Sequence, residues 1–355
     1  MNIEIKLYTD DMEASYNNFL KASKISMFYH SLSYRKLLKK IFTDCEDFYF
    51  CAVDGEKIYA ILPVFIKLGK FGNVINSLPF FGSNGGIIYI GEKLEKKIKL
   101  KLFKSLDELC KIKKAFSCTI IEPPFEKDKS IYKSFESNLI DTRIGQFTEL
   151  PKSENELKCE ENLFKIIHPK HRNSIRKGLK SNFEISIDNS KHSINEMYKL
   201  HGDNMRNIGG LSKKKIFFDN INSLFKPNDE YRIYIAKYNG ELASSLLIFY
   251  YKDMVEYYCP SSKKKFKEKN PLSVLIYKAM KDSILEKKSL IWNWGGTWLS
   301  QKGVYNFKSR WGTVDFPYKY HIKTSHNIKV EEYSAKELFK NYENFYSLPF
   351  SLCKK

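Results

Sequence analysis

The sequence predicts an α/β protein with mixed sheets, built as two domains that repeat one order of elements. Three observations carry that expectation. A length of 355 residues with 43% hydrophobic and 15% aromatic content suits about two packed domains. Helical and strand-like periodicities alternate along both halves of the chain. The run Ala-Val-Asp-Gly-Glu-Lys-Ile-Tyr-Ala-Ile-Leu-Pro-Val-Phe from Ala52 resembles Ala-Lys-Tyr-Asn-Gly-Glu-Leu-Ala-Ser-Ser-Leu-Leu-Ile-Phe from Ala236, with Gly55-Glu56 over Gly240-Glu241 at an offset of 185 residues.

In the first half, helices are expected over 11–21 and 31–42, the second with Leu32, Leu37, Leu38 and Ile41 on one side. Strand 48–53 turns at Asp54-Gly55 into strand 58–67. Strands near 74–80 and 87–90, a helix over 93–114, a buried strand 117–122 and a helix after Pro124 follow. The second half repeats this with a strand at 183–187, helices at 193–205 and 212–225, and a hairpin 231–237/241–251 turning at Asn239-Gly240. Then come strand 254–258, a helix opened by Pro271, strand 290–294 and a short helix from Val304. Residues 151–161 read as a polar linker, and Pro169 opens a basic helix after it. Near the end, Ser334-Ala-Lys-Glu337 reads as a capping box ahead of the stripe Leu338, Phe339, Tyr342, Phe345 and Tyr346. The domains expected are 1–150 and 162–325, with 326–355 returning as a helix to pack on one of them.

Sixty Lys and Arg against 41 Asp and Glu leave a net charge of +19. That field favours anions such as phosphorylated cofactors, nucleic acid or acidic glycans. Only seven of the basic residues are Arg, the side chain suited to bidentate phosphate recognition. The seven cysteines contain no C-x-x-C pair and read as reduced core thiols. The N-terminus lacks the pattern of a secretory signal, and the uncharged run 74–91 is broken by Pro79 and four glycines, so no transmembrane segment is expected. The location implied is the cytoplasm, with contact to an anionic membrane at its inner face open to the basic surface.

No metal is expected: there is no H-E-x-x-H, and Pro169 between His168 and His171 disfavours two ligands on one helical face, leaving a solvated turn. No G-x-S-x-G, Walker A or G-x-G-x-x-G occurs. Glycines cluster in 80–86, 206–210 and 294–296, either as tight turns or as loops whose N–H groups face a ligand. The densest constellation is Trp292-Asn-Trp-Gly-Gly-Thr-Trp298 followed by Tyr305-Asn-Phe-Lys-Ser-Arg-Trp-Gly312. In one reading Trp294, Trp298, Phe307, Lys308 and Arg310 line a groove for a phosphate or a sugar. In the other, Phe307 and Trp311 form a core stripe while the two cations snorkel outward.

Four segments resemble the FemAB-like acyltransferases, the group built from tandem GNAT-type domains. They are Tyr29-His-Ser-Leu-Ser-Tyr-Arg-Lys-Leu-Leu, Ser77-Leu-Pro-Phe-Phe-Gly-Ser-Asn-Gly-Gly-Ile, His168-Pro-Lys-His-Arg-Asn-Ser-Ile-Arg-Lys-Gly, and Asn293-Trp-Gly-Gly with Gly303-Val-Tyr-Asn-Phe-Lys-Ser-Arg-Trp-Gly312. The resemblance implies transfer of an acyl or aminoacyl group to an amine. Members that build peptidoglycan cross-bridges draw on charged tRNA, and others, tied to surface polysaccharides, on an acyl-CoA. By the same pattern Lys308 lies in the acceptor groove of the second domain, on a phosphate or at the reacting carbonyl, and Tyr34, Arg172 and Arg176 fall in segments that bind substrate. Three departures stand out: Asn293 replaces the usual Asp, neither half has the Arg/Gln-x-x-Gly-x-Gly/Ala loop that cradles CoA pyrophosphate, and no long coiled-coil arm fits.

Amine acylation needs a stabilised oxyanion and a proton for the leaving group. Lys308 with strand N–H groups suits the first, and Tyr257 or Tyr258 the second. The expected function is an N-acyltransferase using acetyl-CoA or another short acyl-CoA on an anionic amino-sugar or glycan precursor of the cell envelope. The alternatives are an aminoacyl-tRNA-dependent transferase acting on a peptidoglycan precursor, and a non-catalytic GNAT-like binding module.

Overall fold

The computed structural model describes residues 2–80, 84–325 and 328–354. The chain divides into two compact units, residues 1–143 with 317–355, and residues 144–316. It passes from the first to the second inside one strand and returns inside another. The expected boundaries at 150, 162 and 325 therefore move, and residues 151–161 are not a free linker, because a helix of unit 2 begins at Glu156.

Unit 1 opens with β1 (Glu4–Leu7), α1 (Glu13–Ala22) and α2 (Leu32–Ile41), followed by the hairpin β2 (Cys45–Asp54) and β3 (Lys57–Gly69), then β4 (Gly72–Asn76) and the short β5 (Ile88–Tyr89). α3 (Lys96–Ile112) crosses to β6 (Ala115–Ile121), which pairs with β4 in parallel from Asn73/Ala115 to Asn76/Thr119. The helix expected after Pro124 is instead a 3₁₀ segment, Lys129–Phe135. β3 is buried along most of its length because both of its faces are covered. One face packs Leu62, Val64 and Ile66 toward Leu102, Leu106 and Leu109 of α3. On the other, Tyr49 meets Phe65 and Tyr16.

β7 (Leu139–Glu149) leads into unit 2. There follow α4 (Glu156–Ile166), α5 (Pro169–Leu179), β8 (Glu184–Ile187), α6 (Lys191–Ile208), α7 (Lys215–Asp219) and α8 (Ile221–Leu224). The hairpin β9 (Tyr231–Tyr238) and β10 (Glu241–Tyr251), β11 (Met254–Ser262), α9 (Pro271–Leu285), β12 (Ile291–Trp298) and α10 (Lys302–Ser309) complete it. The single helix expected at 212–225 is two short ones broken at Asn220. Unit 2 thus repeats unit 1: an antiparallel hairpin, a third antiparallel strand, a crossover helix and a parallel partner, β11 with β12. The aligned glycines fall one step apart, since Gly55-Glu56 forms the first turn and Asn239-Gly240 the second.

β13 (Thr313–Thr324) carries the chain back into unit 1, where its second half pairs antiparallel with β6. α11 (Ala335–Asn341) packs onto the β3–β4 turn, since the Tyr342 ring just beyond it fills the space a side chain at Gly69 would need. The helix belongs to unit 1, although Ser334 makes no side-chain cap and the stripe leaves helical geometry at Tyr342.

β6 and β13 are joined by a buried pair, with Glu122 Oε1 2.8 Å from His321 Nε2 and Oε2 accepting the Lys319 N–H at 3.0 Å. Tyr132 stacks on the imidazole at 5.0 Å. Replacing Glu122 with Ala strips partners from buried donors and is expected to cost about 3 kcal/mol. Urea unfolding reads this directly, and an unchanged midpoint would show that the pair does not hold β13.

Candidate active site

In unit 2, β11 and β12 pair in parallel for three residues only, ending at Glu256 opposite Asn293. Beyond that point β11 runs to Ser262 and β12 to Trp298 without further pairing to each other among the described residues. The Asn293 side chain ties the last pair together: its Nδ2 donates to Glu256 Oε2 at 2.8 Å and its Oδ1 accepts the Gly295 N–H at 2.8 Å. Asn293 removes a carboxylate from β12, yet the structure supplies one from the neighbouring strand.

Gly295 has φ +71°, and a side chain there would project into open space. Gly295 and Gly296 are half-buried, so the chain beside the parting stays accessible. Lys308, on α10, lies beneath this segment and is 6% exposed. Its Nζ donates to the carbonyls of Gly295 and Gly296 at 3.2 and 3.3 Å and to Thr297 Oγ1 at 2.8 Å. Three acceptors thus take the three protons of the ammonium ion. Burial pushes its pKa down to about 7. Lys308 neither snorkels nor reaches out; it holds the shape of the end of β12.

The aromatic residues behind it are a core. Trp294 is 5.6 Å from Trp311 and 6.3 Å from Phe307 by ring centroid, and its indole donates to Thr148 Oγ1 at 2.9 Å. Gln146 Oε1 accepts from Thr297 Oγ1 at 3.3 Å. Both of these β7 side chains are buried and hold β12 in place, and no local motif marks either one. His171 sits in the same cluster, 4.6 Å from Trp311, and is not the solvated turn expected. Burial, then Arg310 and His168, lowers it to about 4. His168 caps α5, its Nδ1 accepting the Lys170 N–H at 3.2 Å.

The remaining candidates scatter. Tyr257 follows the last residue of β11 that pairs with β12, half-buried, with its ring 4.9 Å from Trp294. Burial holds its hydroxyl well above the ordinary phenol value. Tyr258 faces the opposite side of the sheet, stacked on Phe217 at 5.5 Å, so the two tyrosines do not share a site. Trp298, half-buried, ends β12. Arg310 is exposed at the end of α10, and its carbonyl accepts the His168 N–H, which brings it to the first turn of α5 and Arg172. Arg176 is exposed one turn on, 5.2 Å over Phe164. Tyr34 lies in unit 1 with no exposed surface, packed against Phe28 and Tyr29, so its burial removes it from any substrate contact. In the glycine cluster 80–86 and the family-like segment around it, Phe81, Gly82 and Ser83 lie outside the described residues.

Residues 169–291 match the acetyltransferase (GNAT) domain family. That match lies wholly within unit 2. Among solved structures it is similar to FemX, at 15% identity over 89% of this chain and 96% of that one, with a TM-score of 0.68. It is similar to a tandem GNAT protein from the clavulanic acid biosynthesis pathway, at 6% identity, 92% and 100% coverage and a TM-score of 0.55. The structure of L-PGS from Bacillus licheniformis matches at 14% identity, 91% and 93% coverage and a TM-score of 0.54. At such identities these likenesses show the fold alone. No curated protein matches the chain in sequence.

The two GNAT-like units differ at the place where their parallel strands part. In unit 1 the last pair, Asn76 opposite Thr119, is covered by the chain's own C-terminal segment. Asn76 Nδ2 donates to the Tyr346 carbonyl at 2.8 Å, Asn76 Oδ1 accepts the Tyr346 N–H at 2.6 Å, and Thr119 Oγ1 donates to the same carbonyl at 3.3 Å. In the GNAT unit 2 the corresponding residues, Glu256 and Asn293, bond each other. Among the described residues no three His, Cys, Asp or Glu side chains gather as a metal site, and no helix is long and apolar enough to cross a membrane.

Proposed function

We propose that the protein is a cytoplasmic N-acyltransferase that moves a short acyl group from acyl-CoA to an amino group of an anionic cell-envelope glycan or surface-polysaccharide precursor. The parting of β11 and β12 beside the accessible Gly295 and Gly296 carries this reading. The acceptor nitrogen attacks the thioester carbonyl, the C–S bond breaks, and the thiolate takes a proton. Strand N–H groups beyond the last pair suit the oxyanion, with Lys308 holding them in place. Tyr257, kept protonated by burial, suits the leaving thiolate. Arg172, Arg176 and Arg310 suit the anionic acceptor, and Trp298 its sugar face, whereas Phe307 belongs to the core. Tyr34 and Tyr258 have no part in it.

A charged tRNA as donor is the second reading, and one observation favours it. The connection from β11 to α9 carries Lys263, Lys264, Lys265, Lys267 and Lys269 where a pyrophosphate-cradling glycine loop would stand. Donor binding at two salt concentrations separates the readings. Short acyl-CoAs are expected to saturate at one per chain, because unit 1 covers its own parting, with weak tRNA binding at physiological salt. Steeply salt-dependent tRNA binding without CoA binding would replace the first reading with the second. Binding without turnover in any donor and acceptor combination would leave a binding module.

A further inference from the structure

One end of unit 1 carries features that neither its packing nor acyl transfer uses. Leu68 and Ile112, 71% and 76% exposed, are the most exposed large apolar side chains among the described residues. They are neighbours in space. Leu68 pairs with Asn73, Asn73 pairs with Ala115, and Asn73 Nδ2 donates to the Lys113 carbonyl at 2.5 Å. The β3–β4 turn and the α3–β6 turn therefore stand side by side, each holding one aliphatic side chain out into solvent.

Lysines surround them. Lys70 pairs with Glu337, and Lys113 with Glu46. Lys111 and Lys114 have no carboxylate within ion-pair distance among the described residues. Both also line a cavity of about 600 Å³ whose other walls include Phe71, Phe116 and Cys118. Asp107, on the same cavity, is neutralised by Lys323 at 2.8 Å.

Paired turns that project aliphatic side chains from a ring of lysines match a lipid surface, with an apolar layer beneath a sheet of phosphates. A nucleic acid would satisfy the lysines and leave Leu68 and Ile112 without a partner. We propose that this end of unit 1 docks on an anionic lipid bilayer. Leu68 and Ile112 enter the boundary between headgroups and acyl chains, while Lys70, Lys111, Lys113 and Lys114 meet lipid phosphates. The docking does not depend on which acyl donor unit 2 uses.

The test is co-sedimentation of the full chain with vesicles of phosphatidylcholine alone and with about one third phosphatidylglycerol. Binding is expected only to the second. The Leu68→Ser/Ile112→Ser variant is expected to lose roughly tenfold in partitioning. Lys111→Gln/Lys114→Gln is expected to lose roughly 30-fold, at about fivefold per lysine. Leu157→Ser, removing an exposed aliphatic of unit 2, is expected to change nothing. All four side chains of the two test variants are exposed, so unfolding midpoints should match the parent. No binding to anionic vesicles, or binding that the serine variant leaves intact, overturns the proposal. So does a serine variant that alters only the oligomeric state, or a lysine variant that weakens only RNA binding.

Discussion

Lys308→Met is expected to keep the fold and to lose about a hundredfold or more in acyl transfer, with whichever donor unit 2 accepts. Methionine fills the volume of the side chain but leaves the Gly295 and Gly296 carbonyls and Thr297 Oγ1 without the three donors that orient them. Losing the alignment of donors aimed at a developing charge typically costs two to three orders of magnitude. Stability should respond differently. Desolvation lowers the Lys308 pKa to about 7 in the folded protein, whereas an unfolded lysine stays near 10.4. Between those values the unfolded chain binds more protons, so folding becomes more favourable as pH rises. The stability of the parent relative to Lys308→Met should therefore climb from about pH 7 toward pH 10, by no more than about 1.4 kcal/mol per unit. Urea unfolding at pH 6, 8 and 9.5 measures it. Parallel curves would mean that the amine is not held near neutrality, and unchanged turnover would remove Lys308 from the machinery.

Asn293→Asp should be the more damaging change to the fold. It restores the residue type usual in the acyltransferases that this segment resembles, but here it sets a second carboxylate against Glu256, where the amide now donates at 2.8 Å. A buried hydrogen bond to a charge is lost and replaced by repulsion, for about 3 kcal/mol at neutral pH. The pH dependence has a definite sign. One carboxyl of the new pair takes a folded-state pKa above its unfolded value, so the penalty is absent below about pH 4 and grows as pH rises through the raised value. Thermal unfolding of variant and parent should thus diverge from pH 5 to pH 8. A gap that stays constant with pH would show that Glu256 does not meet Asn293 as a carboxylate.

Much of this arrangement was legible in the sequence, and what was not has a physical cause. The two hairpins announced themselves because two-residue turns demand Gly or Asn and flank apolar runs. Pro169 and Pro271 marked their helix starts because proline suits the first turn. β7 stayed hidden: its buried positions include Arg143, Gln146 and Thr148, polar side chains whose burial is compensated by Asp141 for Arg143 and by partners far off in the chain for the other two. β13 was masked differently, by the exposed Asp315, Pro317 and Lys319 that interrupt its apolar residues. Those two strands carry the unit boundaries, which explains why the expected divisions were displaced. At the candidate site, the Trp, Gly and Lys residues of 292–312 were visible as a cluster. What each one faces was not: Lys308 turns inward, Trp294 and Phe307 join the core, and Glu256 compensates for Asn293 from another strand.

The discontinuity of unit 1 bears on how the protein is made. Unit 2 is a single contiguous stretch, residues 144–316, and holds all of its own core when its last residue leaves the ribosome. Unit 1 begins to emerge before unit 2, yet its strand β6 lacks the partner β13, and its parted strands lack Tyr346, until residues beyond unit 2 have been synthesised. Synthesis order and completion order are therefore reversed, and during translation the first 143 residues wait with an open sheet edge while the later unit closes. A chaperone that shields nascent strands would be needed longer by residues 4–143 than by the unit translated after them.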